Sequence, residues 1–597
     1  MTFVWDDDEL NEEQSAAVKQ GGNVFLIACP GSGKTRTLTY KVAYELSRLT
    51  SHRQFVLAIT YTNRAADEIR ERVEDLGVDP TQLWIGTIHA FCLEWIIKPY
   101  YIYEPALASG YSMIDLHDRE RLLEDLCLPY KGLKVTFYDC DFYCTSKGYR
   151  LACKDAPKIE AVKAVLRSYF DYLKKNRLID FELILWYSYN LLQEHGAISR
   201  ALAGIFKHIL IDEYQDTKEL QYEIVSSILR AAAETNLFIV GDPNQAIYDS
   251  LGGYPISIDE LKEKTKLEFH ELELSRNYRL SERIVSYFGN YNLHKTKIEA
   301  ASKEKDYASI ISYNATVGRG DLVAEIIRII NYNVETLGVA PNQICVIAPW
   351  WLHLASTCRM LSSGMPEHTF DGPGMVPFAS DFENFWYKVA RLALTEPSPG
   401  MYTRRMRWAQ EVLRDLDAAG LHFKDFTNKD LLRVCNSLDI AEQDGLQFLR
   451  VFFSELFERI GVDFTQFAPL TQQHDAFFES SEKRVARLAK EGVGEIGDIK
   501  YFKKLFESRR GITVSTIHGV KGAEFDVVIA YGLLEGMVPH FSDANGDQSA
   551  QKMLYVVGSR ARKNLFLISE TGRKRYGSTY YEPTIRLKQC VFEYDKF

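Results

Sequence analysis

The sequence predicts an α/β architecture of two parallel-sheet cores, each interrupted by a mostly helical insertion. Three observations carry this. Short apolar runs that end in polar motifs recur along the chain, and each is followed by helical periodicity. Two long segments between them, roughly 92–190 and 376–505, carry helical periodicity instead. The 597 residues are 46% hydrophobic and 25% charged, ordinary globular usage with material for about three or four domains.

The elements follow in order. Val24 to Ala28 (VFLIA) runs into CPGSGKT and then an amphipathic stretch. Phe55 to Thr60 (FVLAIT) precedes ADEIRERVEDL, and His208 to Ile211 (HILI) ends in DEYQD. Leu237 to Val240 (LFIV) ends in GDPNQ, and Ile344 to Ala348 (ICVIA) and Val527 to Ala530 (VVIA) repeat the pattern late. Buried strands alternating with helices make parallel sheets, and polar motifs at the carboxyl ends of such strands are where these sheets bind ligands. The first helical segment holds DRERLLEDL and APKIEAVKAVLRSYFDYLKK. The second holds FWYKVARLAL, MRWAQEVLRDL, LQFLRVFFSELFERI and EKRVARLAKE.

Composition excludes some classes. Lys+Arg 71 against Asp+Glu 81 leaves a net charge of −10, which disfavours a histone-like partner but leaves room for a local basic groove. The start, MTFVWDDDEL, is acidic and lacks the apolar stretch of a secretory signal. No run approaches the ~18 apolar residues of a membrane span, so no membrane partner is expected. The ten Cys are scattered, as expected of a reducing, cytoplasmic setting. Cys140, Cys144 and Cys153 cluster, but their uneven spacing and missing fourth ligand make a poor metal site.

Ala28-Cys29-Pro30-Gly31-Ser32-Gly33-Lys34-Thr35, with Arg36 adjoining, follows an apolar strand and opens a helix. Glycines let backbone N–H groups close on phosphate oxygens, and the helix start adds positive dipole. In this pattern Lys34 neutralises the β/γ-phosphates of ATP and Thr35 ligates Mg²⁺. Asp212, at a strand end, is the second candidate Mg²⁺ ligand, and Glu213 the group that polarises the attacking water. Two adjacent acids alone are more often a helix cap or a solvated turn; the phosphate loop upstream tips the reading to hydrolysis. Gln245, after a third strand, is placed to sense the γ-phosphate.

Nine ordered motifs carry a resemblance. They are LNEEQ (10–14), ACPGSGKT (28–35), AITYTNRAADEIRERV (58–73), GTIHAF (86–91), ILIDEYQDT (209–217), IVGDPNQAIYD (239–249), LSRNYR (274–279), ITVSTIHGVKGAEFDVVI (512–529) and LYVVGSRARKNL (554–565). In order and spacing the chain resembles a UvrD/Rep/PcrA-type superfamily 1 DNA helicase. The resemblance implies two RecA-like cores with inserted subdomains. Core 1A takes 1–91 and 191–283, insertion 1B 92–190, core 2A 284–375 and 506–597, and a reduced insertion 2B 376–505. It implies that Gln14 reads the adenine edge, Tyr278 stacks on the base and Glu524 meets the ribose. Arg279 and Arg560 resemble the family's two arginine fingers, groups that stabilise transition-state charge across a cleft. For DNA it implies a base-stacking Tyr61 with backbone contacts from Thr62, Asn63 and Arg64. Thr87 with His89, and Thr516 with His518, resemble two phosphate-contacting loops.

The sequence departs from the family pattern in places. Ser250 and Leu251 stand where an aromatic and an arginine are usual, and Ser549-Ala550-Gln551-Lys552 replaces an acidic-acidic-arginine-arginine run. The stretch from Met365 to Gly374 only loosely echoes the family's turn. These departures bear on processive unwinding more than on ATP hydrolysis. The resemblance implies an ATP-dependent translocase or helicase on single-stranded DNA, with 3′→5′ polarity. A second reading stays open: a DNA-end or structure sensor with regulatory ATPase, partnering a nuclease subunit in an anti-phage complex of the Gabija type.

Overall fold

The structure is a computed structural model that describes residues 3–6, 8–114, 116–232, 234–248, 252–372, 377–378, 384–490, 496–506, 511–541, 543, 545–575 and 579–597. Ser250 and Leu251 lie outside the described residues, as does part of the stretch from Met365 to Gly374. The chain divides into two compact units. The first comprises Met1–Ile114, Leu123–Leu322 and Ile517–Phe597; the second comprises Asp115–Leu122 and Val323–Thr516.

The first unit opens with helix α1 (Glu12–Lys19), strand β1 (Val24–Ala28) and helix α2 (Lys34–Leu46). Strands β2 (Phe55–Thr60) and β3 (Leu83–Thr87) follow, then a hairpin of β4 (Phe142–Thr145) and β5 (Gly148–Leu151), then β6 (Phe206–Asp212), β7 (Asn236–Gly241) and β8 (His270–Leu274). The main sheet has the order β8-β1-β7-β6-β2-β3, and its pairings are all parallel. Its central strands read as continuous apolar runs because both faces are covered: Val24, Leu26, Val56, Ala58, Leu210, Phe238 and Val240 share one buried cluster with Leu38 and Val42 of α2. Parallel strands bring their carboxyl ends to one edge. Cys29, Tyr61, Glu213 and Asp242 each follow a strand there, so four motifs remote in sequence meet at one rim.

Later in the same unit, Ala561–Ile568 lies between Ile311–Asn314 and Phe525–Ala530, again with parallel pairing. The segment expected to be helical does contain the helices Leu116–Cys127 and Ile159–Asn176, but it also holds the antiparallel β4–β5 hairpin. The reason is local. FYCT buries Phe142 and Cys144 with Tyr143 facing outward, GYRL pairs with it across a Ser146-Lys147 turn, and the Thr145 hydroxyl donates to the Gly148 carbonyl at 2.7 Å.

The second unit carries three parallel strands, Ile512–Thr516 pairing with Ile344–Ala348 and with Phe370–Asp371. Five helices, Phe385–Ala393, Tyr402–Ala418, Asn428–Asn436, Gly445–Arg459 and Ala468–Lys490, enclose an aromatic core. Trp386 is fully buried there between Phe453 and Phe464, and its indole donates to the Leu470 carbonyl at 2.8 Å. The α/β class with parallel sheets is as the sequence predicts, and this strand pairing is that of RecA-like cores. Among the described residues, no helix is long and apolar enough to cross a membrane.

Candidate active site and nucleic-acid track

The phosphate loop takes its shape from two glycines. Gly31 and Gly33 have φ of 69° and 85°, a left-handed conformation that favours glycine, and Gly33 caps the start of α2. A Cβ on Gly33 would stand 2.5 Å from the Gln14 amide nitrogen, and one on Gly31 2.9 Å from that of Asn277. The loop is held from both flanks. Gln14 Nε2 donates to the Ser32 carbonyl at 2.8 Å, and Asn277 Nδ2 donates to the Pro30 carbonyl at 2.6 Å. The Tyr278 backbone N–H donates to the Gly31 carbonyl at 3.0 Å, and the Tyr278 hydroxyl accepts from Asn11 at 2.6 Å. Ala28 and Cys29 are buried beneath the loop; the Cys29 thiol is pushed up to about 12 by burial and stays protonated. Thr35 and Lys34 open α2, and Arg36 is exposed over the Tyr40 ring.

Lys34 makes no ion pair among the described residues, yet its charge acts on the carboxyls of Asp212, Glu213, Asp216 and Asp242. Burial pushes Asp212 up to about 7, the Glu213 charge adds to this, and Lys34 opposes it. Burial also pushes on Glu213, but Lys34, Lys521, the Gln215 amide and Arg560 outweigh it and hold that carboxyl below its ordinary range. Glu213 sits at φ 51°, turned by the Gln215 amide, which donates to its Oε2 at 2.6 Å. The environment thus separates two adjacent acids: Glu213 is the ionised one and Asp212 the more readily protonated one.

The second wall comes from the late motifs. Gln245 donates to Asp242 at 2.9 Å and accepts from Arg560 Nη2 at 3.0 Å. The Tyr555 hydroxyl reaches Asp242 at 3.2 Å. Lys521 Nζ donates to Asp216 at 2.6 Å and to the Gln245 carbonyl at 2.5 Å. Arg279 and Glu524, assigned separate roles from the resemblance, pair with one another. Lys34, Asp212, Glu213, Asp242, Gln245 and Arg560 therefore lie around one phosphate loop.

Beside this cluster runs a column of rings. Tyr61, 50% exposed, stacks on Tyr248 with centroids 5.4 Å apart, and Tyr248 meets His518 at 5.5 Å. His518 Nε2 lies 3.1 Å from the Ile247 carbonyl, and Lys521 stands 5.0 Å from the Tyr248 ring centre. Thr62 caps the helix after β2 through its hydroxyl, and Asn63 and Arg64 are exposed on its first turn. Thr87 caps its own short helix, and Thr516 closes its strand in the second unit. His89 lies edge-on to Phe181, with Nε2 buried and unpartnered, and burial holds the imidazole neutral by pushing it down to about 3. A neutral buried ring brings no charge to a phosphate; the exposed group at this place is Phe181. Sequence reasoning left Tyr248, Phe181 and the Lys521–Asp216 pair unassigned. Tyr248 and Lys521 stand inside the quoted motifs, so the signal was their place beside assigned residues.

Comparison with known proteins agrees with this layout. Residues 10–266 match the UvrD/REP helicase N-terminal domain, and residues 499–572 match the UvrD-like helicase C-terminal domain. The ATP-dependent DNA helicase PcrA of Staphylococcus aureus is 24% identical over 96% of this chain and 84% of its own length. The ATP-dependent DNA helicase UvrD1 of Mycobacterium leprae is 24% identical over 97% of this chain and 85% of its own. With both helicase domains matched and the motifs gathered at one sheet edge, the chain belongs to the UvrD-like superfamily 1 helicases.

Proposed function

We propose that this protein is an ATP-dependent DNA helicase that hydrolyses ATP and moves 3′→5′ along a single strand in the cytoplasm. The observation that supports it best is the junction of the two candidate sites. Lys521 lies under Tyr248 of the aromatic column and binds Asp216 and the Gln245 backbone, while the Gln245 side chain holds Arg560. A strand that moves the column thereby acts on the groups around the phosphate.

In this reading the backbone of Pro30, Gly31, Ser32 and Gly33 cradles the phosphates, and Lys34 neutralises the β/γ oxygens. Thr35 and Asp212 offer a hydroxyl and a carboxylate, oxygen donors of the kind Mg²⁺ takes, and Mg²⁺ held there offsets phosphate charge. Ionised Glu213 accepts a hydrogen bond from the attacking water and aims it. Arg560 and Arg279 stabilise charge on the γ-phosphoryl group, with Gln245 fixing Arg560. Gln14 and Tyr278 take the base, and Glu524 exchanges Arg279 for the ribose. Tyr61, Thr62, Asn63, Arg64, Thr87 and His518 line the strand, bases stacking on the exposed ring and phosphates meeting polar groups. The four-part division proposed is core 1A (1–91, 191–283), 1B (92–190), core 2A (284–375, 506–597) and 2B (376–505).

Strand displacement on 3′-tailed and 5′-tailed duplexes tests this. Unwinding of the 3′-tailed duplex alone is expected. Unwinding from the 5′ tail refutes the polarity. DNA-dependent ATP turnover without displacement, converted to cleavage by an added nuclease subunit, supports the sensor reading instead.

A further inference from the structure

The β4–β5 hairpin is built into the wall beside the aromatic column. Along β4, Phe142 and Cys144 point into the core, and Tyr143 points the other way, opposite Arg150 of β5. The Tyr143 ring packs on Gly252: a Cβ on that glycine would stand 2.8 Å from the ring. Gly253 in turn donates its N–H to the Tyr248 carbonyl at 3.0 Å. Tyr143 is therefore one glycine pair away from the ring that stacks on Tyr61.

The hairpin is held in place by polar contacts that leave its outer face free. The Cys144 N–H donates to Glu182 at 2.8 Å, Glu182 is itself paired with Lys218, and the Ser146 hydroxyl donates to Glu219 at 3.0 Å. Lys218 also bridges to Gly253. Lys147 at the tip and Arg150 on β5 are exposed, and neither makes an ion pair among the described residues. A partly exposed tyrosine beside an exposed guanidinium, one glycine pair from the column, is the chemistry that holds a single strand: a π-face for a base and a cation for its phosphate.

We propose that Tyr143 and Arg150 form a further single-strand contact, extending the Tyr61–Tyr248–His518 column onto the hairpin. This rests on the nucleic-acid reading of that column. The test is fluorescence anisotropy with a labelled oligothymidylate, run from roughly 50 to 200 mM salt. Tyr143→Ala should weaken binding about tenfold, and Tyr143→Phe should restore it. Arg150→Gln should reduce the salt slope by about 0.7, and Arg150→Lys should keep it. DNA-independent ATP turnover and the thermal midpoint should not move in the Arg150 variants, whose side chain is exposed. Binding by Tyr143→Ala and Arg150→Gln within about twofold of wild type, while Tyr61→Ala loses affinity, overturns the hairpin contact and leaves the column standing. No measurable strand binding by the wild-type protein overturns both. If Tyr143→Ala lowers the midpoint, the salt slope of Arg150→Gln decides alone.

Discussion

Lys521→Met removes the cation of a buried ion pair and leaves Asp216 facing it. The Asp216 side chain is 2% exposed, and burial already pushes its carboxyl up to about 7 even with Lys521 present. Breaking such a pair costs on the order of 3–5 kcal/mol when the remaining charge stays buried. Without Lys521, and with Glu213 still raising it, the Asp216 carboxyl moves further up. A group whose pKa is higher folded than unfolded stabilises fully below the ordinary carboxylate range, and that stability is lost as pH rises through the folded value. For wild type the loss is complete just above pH 7; for the variant it continues at higher pH. The gap between their thermal midpoints is therefore small near pH 6 and widens toward pH 8.5, to at most roughly 4–6 °C when the ~3–5 kcal/mol is set against the unfolding entropy of the whole first unit. Adding Asp216→Asn to Lys521→Met should recover most of it. A gap that is flat across pH, or smaller than about 1 °C at pH 8.5, refutes the buried-pair account.

Three further outcomes follow from the site. Lys34→Ala should lose ATP turnover with an unchanged thermal midpoint, because this side chain stands at the phosphate loop without a structural partner. Glu213→Gln should bind ATP, read by a fluorescent analogue, and fail to turn it over; normal turnover would reassign the water-aiming group. Tyr61→Ala should weaken single-strand binding about tenfold with an unchanged midpoint, since the ring is half exposed; a core role would instead cost ~3–5 kcal/mol of stability.

The phosphate loop was legible because its chemistry is local. Two glycines in left-handed conformation, a lysine and a threonine at a helix start must be contiguous, and they are. Asp212 and Gln245 were legible as polar residues at the ends of apolar strands, since parallel pairing brings strand ends to one edge. The Lys521–Asp216 pair was not, because the two residues lie 305 positions apart and only the tertiary fold joins them. The same holds for Tyr61, Tyr248 and His518, whose rings come from three separate connections. The hairpin was hidden differently. Its two four-residue strands are too short to interrupt the helical periodicity around them. His89 shows the reverse error: its motif points to a phosphate contact, and burial against Phe181 leaves it a neutral ring.

In the proposed function, strand binding at the ring column reaches the ATP site through Lys521 and Gln245. Steady-state ATP turnover by the wild-type protein, titrated with single-stranded DNA, tests it most directly. Turnover should rise severalfold and saturate with strand concentration, with Lys34→Ala silent throughout. Turnover that is identical with and without a strand the protein demonstrably binds would contradict it.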